Sequence, residues 1–177
     1  PTGANSPFYN NSTRYGLKYA VAEQSECYGK DKIIYGVPLY AYEYTTNSNL
    51  PGASITSANQ VLLKNVNPSA YGRQWDSDSN TPYYYYFADG VYHQVWYEDT
   101  ESLALKYQYI KDQRIKGVGF WALGYEGNNS NIWNVFARQP DNQSSQLPIV
   151  NFSGSPTLGS VPLMVQFKDT SINVPTN

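Results

Sequence analysis

The sequence predicts an α/β fold assembled around parallel strands and followed by an all-β segment. Three observations carry that expectation. Gly117-Val-Gly-Phe-Trp-Ala-Leu-Gly-Tyr125 is a short apolar run bracketed by glycines, the pattern of a strand buried on both faces. Immediately upstream, Val95 to Gln113 reads as a strand end followed by a helix. From Pro148 the pattern becomes a short alternating strand, a Ser-Pro-Thr-Leu-Gly turn and a second strand, Leu163 to Phe167. A helix leading into a strand that closes on Trp121 suggests an α/β barrel, a fold that keeps its ligand-binding residues at the carboxyl ends of its strands.

In chain order, residues 1–13 are a polar, Asn-rich loop. Ser12 or Thr13 can cap a helix running to about Tyr28, with Leu17, Ala20 and Val21 on one face and Gly29 as its stop. Lys32 to Tyr40 reads as a second buried strand, and Pro38 is tolerable if the strand stops there. Tyr40, Tyr42, Glu43 and Tyr44 then lie at its carboxyl end, and residues 45–53 read as loop. Ser57 to Val66 is expected to be a short helix with Ala58, Val61 and Leu62 on one side. Asp76-Ser-Asp78 belongs to a loop before a hairpin, in which Pro82–Phe87 and Val91–Tyr97 are joined through Asp89-Gly90, a strong turn signal. Asp99 or Thr100 caps the next helix, whose expected buried stripe is Leu103, Tyr107 and Ile110. Residues 138–147 are polar and aperiodic, as a linker is.

Composition narrows the function classes. With 18 Tyr and 4 Trp in 177 residues, aromatics reach 16%. Such rings suit sugar faces and hydroxyls, and they also suit a strand-rich core. A net charge of −2 with 15% charged residues leaves no basic patch for nucleic acid. No apolar run approaches the ~18 residues of a bilayer-spanning helix, so no membrane partner is expected. Cys27, the single cysteine, excludes an internal disulfide framework and reads as a buried small hydrophobe. No metal or cofactor is expected. Asp76-x-Asp78-x-Asn80 opens like a calcium loop, yet Thr81 stands where Gly is needed and Phe87 where Glu is needed. His93, the only histidine, is expected on an exposed hairpin face without partners for metal or nucleophile chemistry. Trp75, Trp96 and Trp133 read as packing residues.

Three segments in order and at suitable spacing resemble glycoside hydrolase family 18, the chitinase-like and spore-wall lytic enzymes, from about Gly3 to Phe136. Lys32-Ile-Ile-Tyr-Gly-Val-Pro-Leu-Tyr40 resembles the seventh barrel strand, with Ala41 where Gly is common. Val95-Trp-Tyr-Glu-Asp-Thr-Glu-Ser-Leu-Ala-Leu-Lys106 resembles the lead into the last barrel helix, and Gly117–Gly124 the eighth strand with its subsite tryptophan. Residues 148–171 resemble the opening of a polycystic-kidney-disease (PKD) repeat, an extracellular β-sandwich spacer. The resemblance implies the C-terminal portion of a TIM (β/α)8 barrel with a β-hairpin insertion over residues 1–137, a linker over 138–147 and a truncated PKD-like β-sandwich over 148–177.

The resemblance also implies a secreted, extracellular glycosidase acting on an N-acetylglucosamine-containing polysaccharide, chitin or peptidoglycan, without a cofactor. The family's Asp-x-x-Asp-x-Asp-x-Glu motif, whose Glu protonates the glycosidic oxygen while the substrate's own acetamide attacks the anomeric carbon, is absent from the chain, and so is its Met-x-Tyr-Asp segment. A whole barrel needs at least ~200 residues, so the missing N-terminal barrel portion is an expected partner. No catalytic residue is assigned. The substrate-binding candidates are Trp121, Tyr40, Tyr42 and Glu126. Trp121 is expected to stack under a sugar. Of Tyr40 and Tyr42, one lines the cleft and the other packs, and parity alone does not choose. Glu126 can bond sugar hydroxyls, against the competing reading of a solvated loop carboxylate. The alternative function is a non-catalytic carbohydrate-binding or spacer fragment.

Overall fold

The computed structural model describes residues 1–9, 15–137 and 151–171. The chain divides into two units, Pro1–Ala137 and Arg138–Asn177.

In the first unit, α1 (Leu17–Tyr28) starts after Gly16 and stops at Gly29, whose φ of 80° a residue with a Cβ rarely adopts. The expected caps Ser12 and Thr13 lie outside the described residues. Only Leu17 and Val21 of the expected stripe are buried, and Ala20 is exposed. Cys27, expected inside, is exposed because it lies on the solvent side of this narrow stripe. Strand β1 (Ile34–Pro38) follows and ends at the proline, as a residue without an N–H requires.

Past Pro38 the chain differs from the expected loop. Tyr40–Thr46 forms β2, and Ile55–Leu62, expected to be largely helical, forms β3. Ala58, Val61 and Leu62 do recur at helical spacing, but β3 pairs antiparallel along the whole of β2, from Tyr40↔Leu62 to Thr46↔Ile55. The ladder gives backbone groups their partners, and the β-branched Ile55, Thr56 and Val61 suit it. A short helix α2 (Pro68–Tyr71) and β4 (Gln74–Asp76) precede the hairpin β5 (Thr81–Ala88) and β6 (Val91–Trp96). At the hairpin turn Asp89 and Gly90 both have positive φ, 52° and 79°, which is the two-residue turn that Asp-Gly favours. The hairpin is thus part of a five-stranded antiparallel sheet ordered β3-β2-β6-β5-β4. Asp76 ends a strand instead of lying in a loop.

Helix α3 (Thr100–Asp112) opens with the Asp99 cap. Its Oδ1 accepts from the backbone N–H groups of Glu101 and Ser102, each at 3.0 Å, while Ser102 Oγ accepts from Asp99 N–H at 3.0 Å. α3 returns the chain to β7 (Gly117–Trp121), which pairs parallel with β1 in the register Ile34↔Gly117 to Pro38↔Trp121. A parallel pair needs such a crossover. A further helix, α4 (Ser130–Phe136), was not expected and lays Trp133 and Phe136 against Phe120 at centroid separations of 4.9 and 4.8 Å.

One buried group departs from the expected α3 stripe. Lys106 has 0% exposure and its ammonium pairs with Glu98, at 2%. Glu98 also accepts from Ser102 Oγ at 2.7 Å, and Thr81 Oγ1 accepts from Lys106 at 3.4 Å. Burial pushes the Glu98 carboxyl upward, against the pull of Lys106 downward. The pair therefore stands only as a pair.

In the second unit, β8 (Phe152–Ser155) and β9 (Gln166–Asp169) form an antiparallel pair. The second strand falls later than the expected Leu163–Phe167, and Phe152 and Phe167 remain exposed with centroids 5.9 Å apart.

Lys106→Met is expected to cost about 3–5 kcal/mol by stranding the Glu98 carboxylate. Adding Glu98→Leu should recover most of that loss, in a double-mutant cycle read by urea unfolding.

Candidate functional site

The β1–β7 pair positions the site through its parity. Alternate residues of paired strands point to opposite faces. Tyr35, Val37, Val118 and Phe120 join the cores under the helices. Their neighbours Ile34, Gly36, Gly117, Gly119 and Trp121 present the other face. A Cβ placed on Gly36 or Gly117 would meet nothing within 4 Å, so this face is open. Trp121 closes its carboxyl end with 68% exposure.

A pocket of about 260 Å³ lies there, lined by Asn5, Ser6, Gly36, Val37, Pro38, Tyr40 and Trp121. The Trp121 carbonyl accepts from Leu39 N–H at 2.8 Å, which fixes the start of β2, and with it Tyr40, beside the indole. The Trp121–Ala122 peptide bond is cis. The N-terminal loop supplies the polar rim. Ser6 Oγ bonds Tyr35 Oη at 2.9 Å, and Asn5 Nδ2 is buried with no hydrogen-bond partner among the described residues. Burial, reinforced by the charge of Glu98, holds the Tyr35 hydroxyl protonated well above its ordinary range. The lining carries no carboxylate, imidazole or amine. Its chemistry is an apolar platform beside neutral hydrogen-bonding groups, suited to holding a hydroxylated ring and without an acid to transfer a proton.

Of the sequence candidates, Trp121 and Tyr40 meet at this pocket. Tyr42 lies two residues on from Tyr40, on the same face of β2, and is wedged between Tyr40 and Tyr44 at centroid separations of 5.9 and 6.0 Å. It packs among aromatics of its own sheet and does not line the pocket. Glu126 is not a solvated loop carboxylate. It is 8% exposed, its Oε2 lacks a partner among the described residues, and it lies outside the pocket lining.

His93 departs from its expected exposed position. Its ring stacks on Tyr86 with centroids 4.7 Å apart, and Nδ1 stands 3.4 Å from Glu43, which also accepts from the Tyr86 hydroxyl. Alternation on β6 turns it to the side where Tyr71 covers Tyr84 and Tyr86. Sequence reading missed Asn5 and Ser6, since polar residues in an Asn-rich loop carry no periodicity to mark them. Among the described residues no group of three or more His, Cys, Asp or Glu could hold a metal ion, and no helix is long and apolar enough to cross a membrane.

The model of glycosyl hydrolases family 18 matches residues 1–126, and the chain belongs to that family. Human di-N-acetylchitobiase is 32% identical over 149 residues, covering 71% of this chain and 37% of the relative. The cortical fragment-lytic enzyme of Bacillus subtilis (strain 168) is 28% identical over 112 residues, covering 61% and 25%. The chain thus spans little more than a third, or less, of the length of these curated relatives. In fold it is similar to a family 18 N-acetylglucosaminidase from Paenibacillus barengoltzii, with a TM-score of 0.64 at 21% identity over 76% of this chain and 42% of that one. It is similar also to human YKL-39, described as a pseudo-chitinase with retained chitooligosaccharide binding, with a TM-score of 0.61 at 21% identity over 70% and 39%.

Because Trp121 stands outside the core, Trp121→Ala is expected to change unfolding free energy by no more than about 0.5 kcal/mol. Phe120→Ala, one residue away on the opposite face, should cost about 3 kcal/mol. Urea denaturation of the two variants checks this parity assignment.

Proposed function

We propose that the chain is the C-terminal part of a secreted family 18 glycosidase that hydrolyses β-1,4-linked N-acetylglucosamine polymers by substrate-assisted retaining catalysis. In this reading the acid Glu lies outside residues 1–177. The observation that carries it is the exposed Trp121 indole at the carboxyl end of β7, on the face away from the core and beside Tyr40. There the indole supports the ring undergoing cleavage, and the unpartnered Asn5 amide donates to a sugar oxygen. Relatives named for chitobiose and for chitin, such as chitinase B of Serratia marcescens, 38% identical over 80 residues, support an N-acetylglucosamine polymer as substrate.

On the same reading, residues 1–137 are the end of a TIM barrel carrying the five-stranded insertion, 138–147 are a linker, and 148–177 open a PKD-like β-sandwich. The alternative is a non-catalytic carbohydrate-binding or spacer fragment. One observation favours it: human YKL-39, similar in fold, is described as a pseudo-chitinase with retained chitooligosaccharide binding. The coding sequence upstream of Pro1 separates the two, since only the glycosidase requires Asp-x-x-Asp-x-Asp-x-Glu there.

An interaction that strengthens in the transition state raises kcat. Aromatic stacking of about 1–3 kcal/mol per ring sets the scale. In the longer protein, Trp121→Ala should therefore lower kcat/KM on N-acetylglucosamine oligomers by roughly tenfold or more, with Trp121→Phe intermediate. Unchanged kinetics in Trp121→Ala would remove Trp121 from the site.

A further inference from the structure

A second pocket, of about 220 Å³, lies where the start of α3, the start of α4 and the segment after β3 meet. It shares no lining residue with the Trp121 pocket. One wall is apolar: Leu63, Val66 and Pro68. The rest is polar: Tyr97, Glu98, Asp99, Thr100, Asn129 and Asn131.

Two of these groups are already committed. Glu98 is held by Lys106 and Ser102, and Asp99 by two backbone N–H groups and by Arg73 Nε at 2.8 Å. Tyr97 is not. The residue is 4% exposed, yet its hydroxyl has no hydrogen-bond partner among the described residues. Tyr97 lines the pocket beside Glu98 and Asp99. Burial first, and then Asp99, raise its pKa, so the hydroxyl stays protonated and available as a donor. A buried hydroxyl without a partner has given up its hydration for nothing, and an occupant of the pocket would complete it.

The chemistry of that occupant follows from the lining. The carboxylates of Glu98 and Asp99 disfavour an anion. Exposed Thr100, Asn129 and Asn131 offer neutral donors and acceptors opposite an apolar wall. The volume falls below the ~300–1,000 Å³ of drug-sized pockets, leaving room for one small ring. We propose that this pocket is a second carbohydrate site, which seats one pyranose ring with its apolar face on Leu63, Val66 and Pro68 and a ring hydroxyl accepting from Tyr97. It goes beyond the Trp121 site and stands or falls separately from it.

The test is ligand-detected saturation-transfer NMR with N-acetylglucosamine as probe, on the full chain carrying Trp121→Ala so that the first pocket does not contribute. Saturable binding is expected to persist in that background and to weaken about fivefold or more when Tyr97→Phe is added, the loss of one hydrogen bond. Asn131→Ala, at an exposed rim position, should weaken it in the same direction, and it decides the matter alone if Tyr97→Phe does not fold. A pocket that holds only water gives no saturable signal in the Trp121→Ala chain. That result, or an affinity indifferent to both further substitutions, overturns the proposal.

Discussion

The parallel register of β1 and β7 is the constraint on which the rest depends. Setting Pro38 opposite Trp121 turns Val37 and Phe120 toward the helices and leaves Trp121, Gly36 and Gly119 on the open face. A one-residue slip of β7 would bury the indole and expose Phe120, because side chains alternate with a period of two. α4 holds the register from one side, through Trp133 and Phe136 against Phe120. The bond from Leu39 N–H to the Trp121 carbonyl holds it from the end.

The five-stranded sheet is anchored at that same end. β2 begins two residues after β1 stops, so the orientation of Tyr40 follows from the geometry of Trp121. Tyr42 and Tyr44 then continue a row of rings down β2 into the core around Trp96. On the opposite face the chain closes its polar groups on one another, with Tyr86 and His93 gathered at Glu43. The proposed glycan contact thus rests on the start of β2 and the end of β7, while the rings around Trp96 and Glu43 are packing.

Local signals account for what the sequence made legible. The glycine-bracketed run of β7, the Asp89-Gly90 turn and the Asp99 cap each specify a backbone conformation within a few residues, and each was readable. β3 was not. Its ladder is set by β2 across a loop, with partners that range from Thr46↔Ile55 at the near end to Tyr40↔Leu62 at the far end, and its apolar residues happen to recur at helical spacing. The buried Lys106–Glu98 pair was invisible for a similar reason: Lys106 sits on the apolar side of α3, and only the fold brings Glu98 and Thr81 to it. Of the site, Trp121 and Tyr40 were legible from strand ends. Asn5 and Ser6 reach the pocket from a loop with no pattern, and the burial of Glu126 depends on a turn held by bonds such as Tyr125 N–H to the Ala122 carbonyl.

On the proposed function, the open face of β1 and β7 holds a sugar on the Trp121 indole. Iodide quenching of tryptophan fluorescence tests it directly, since Trp96 is buried and Trp121 is the exposed indole at the pocket. Titrating the chain with the N-acetylglucosamine tetramer should protect an iodide-accessible fraction of the emission, saturably, and that protected fraction should vanish in Trp121→Phe. Protection that survives unchanged in Trp121→Phe would contradict the account, because the sugar would then be bound where this indole is not.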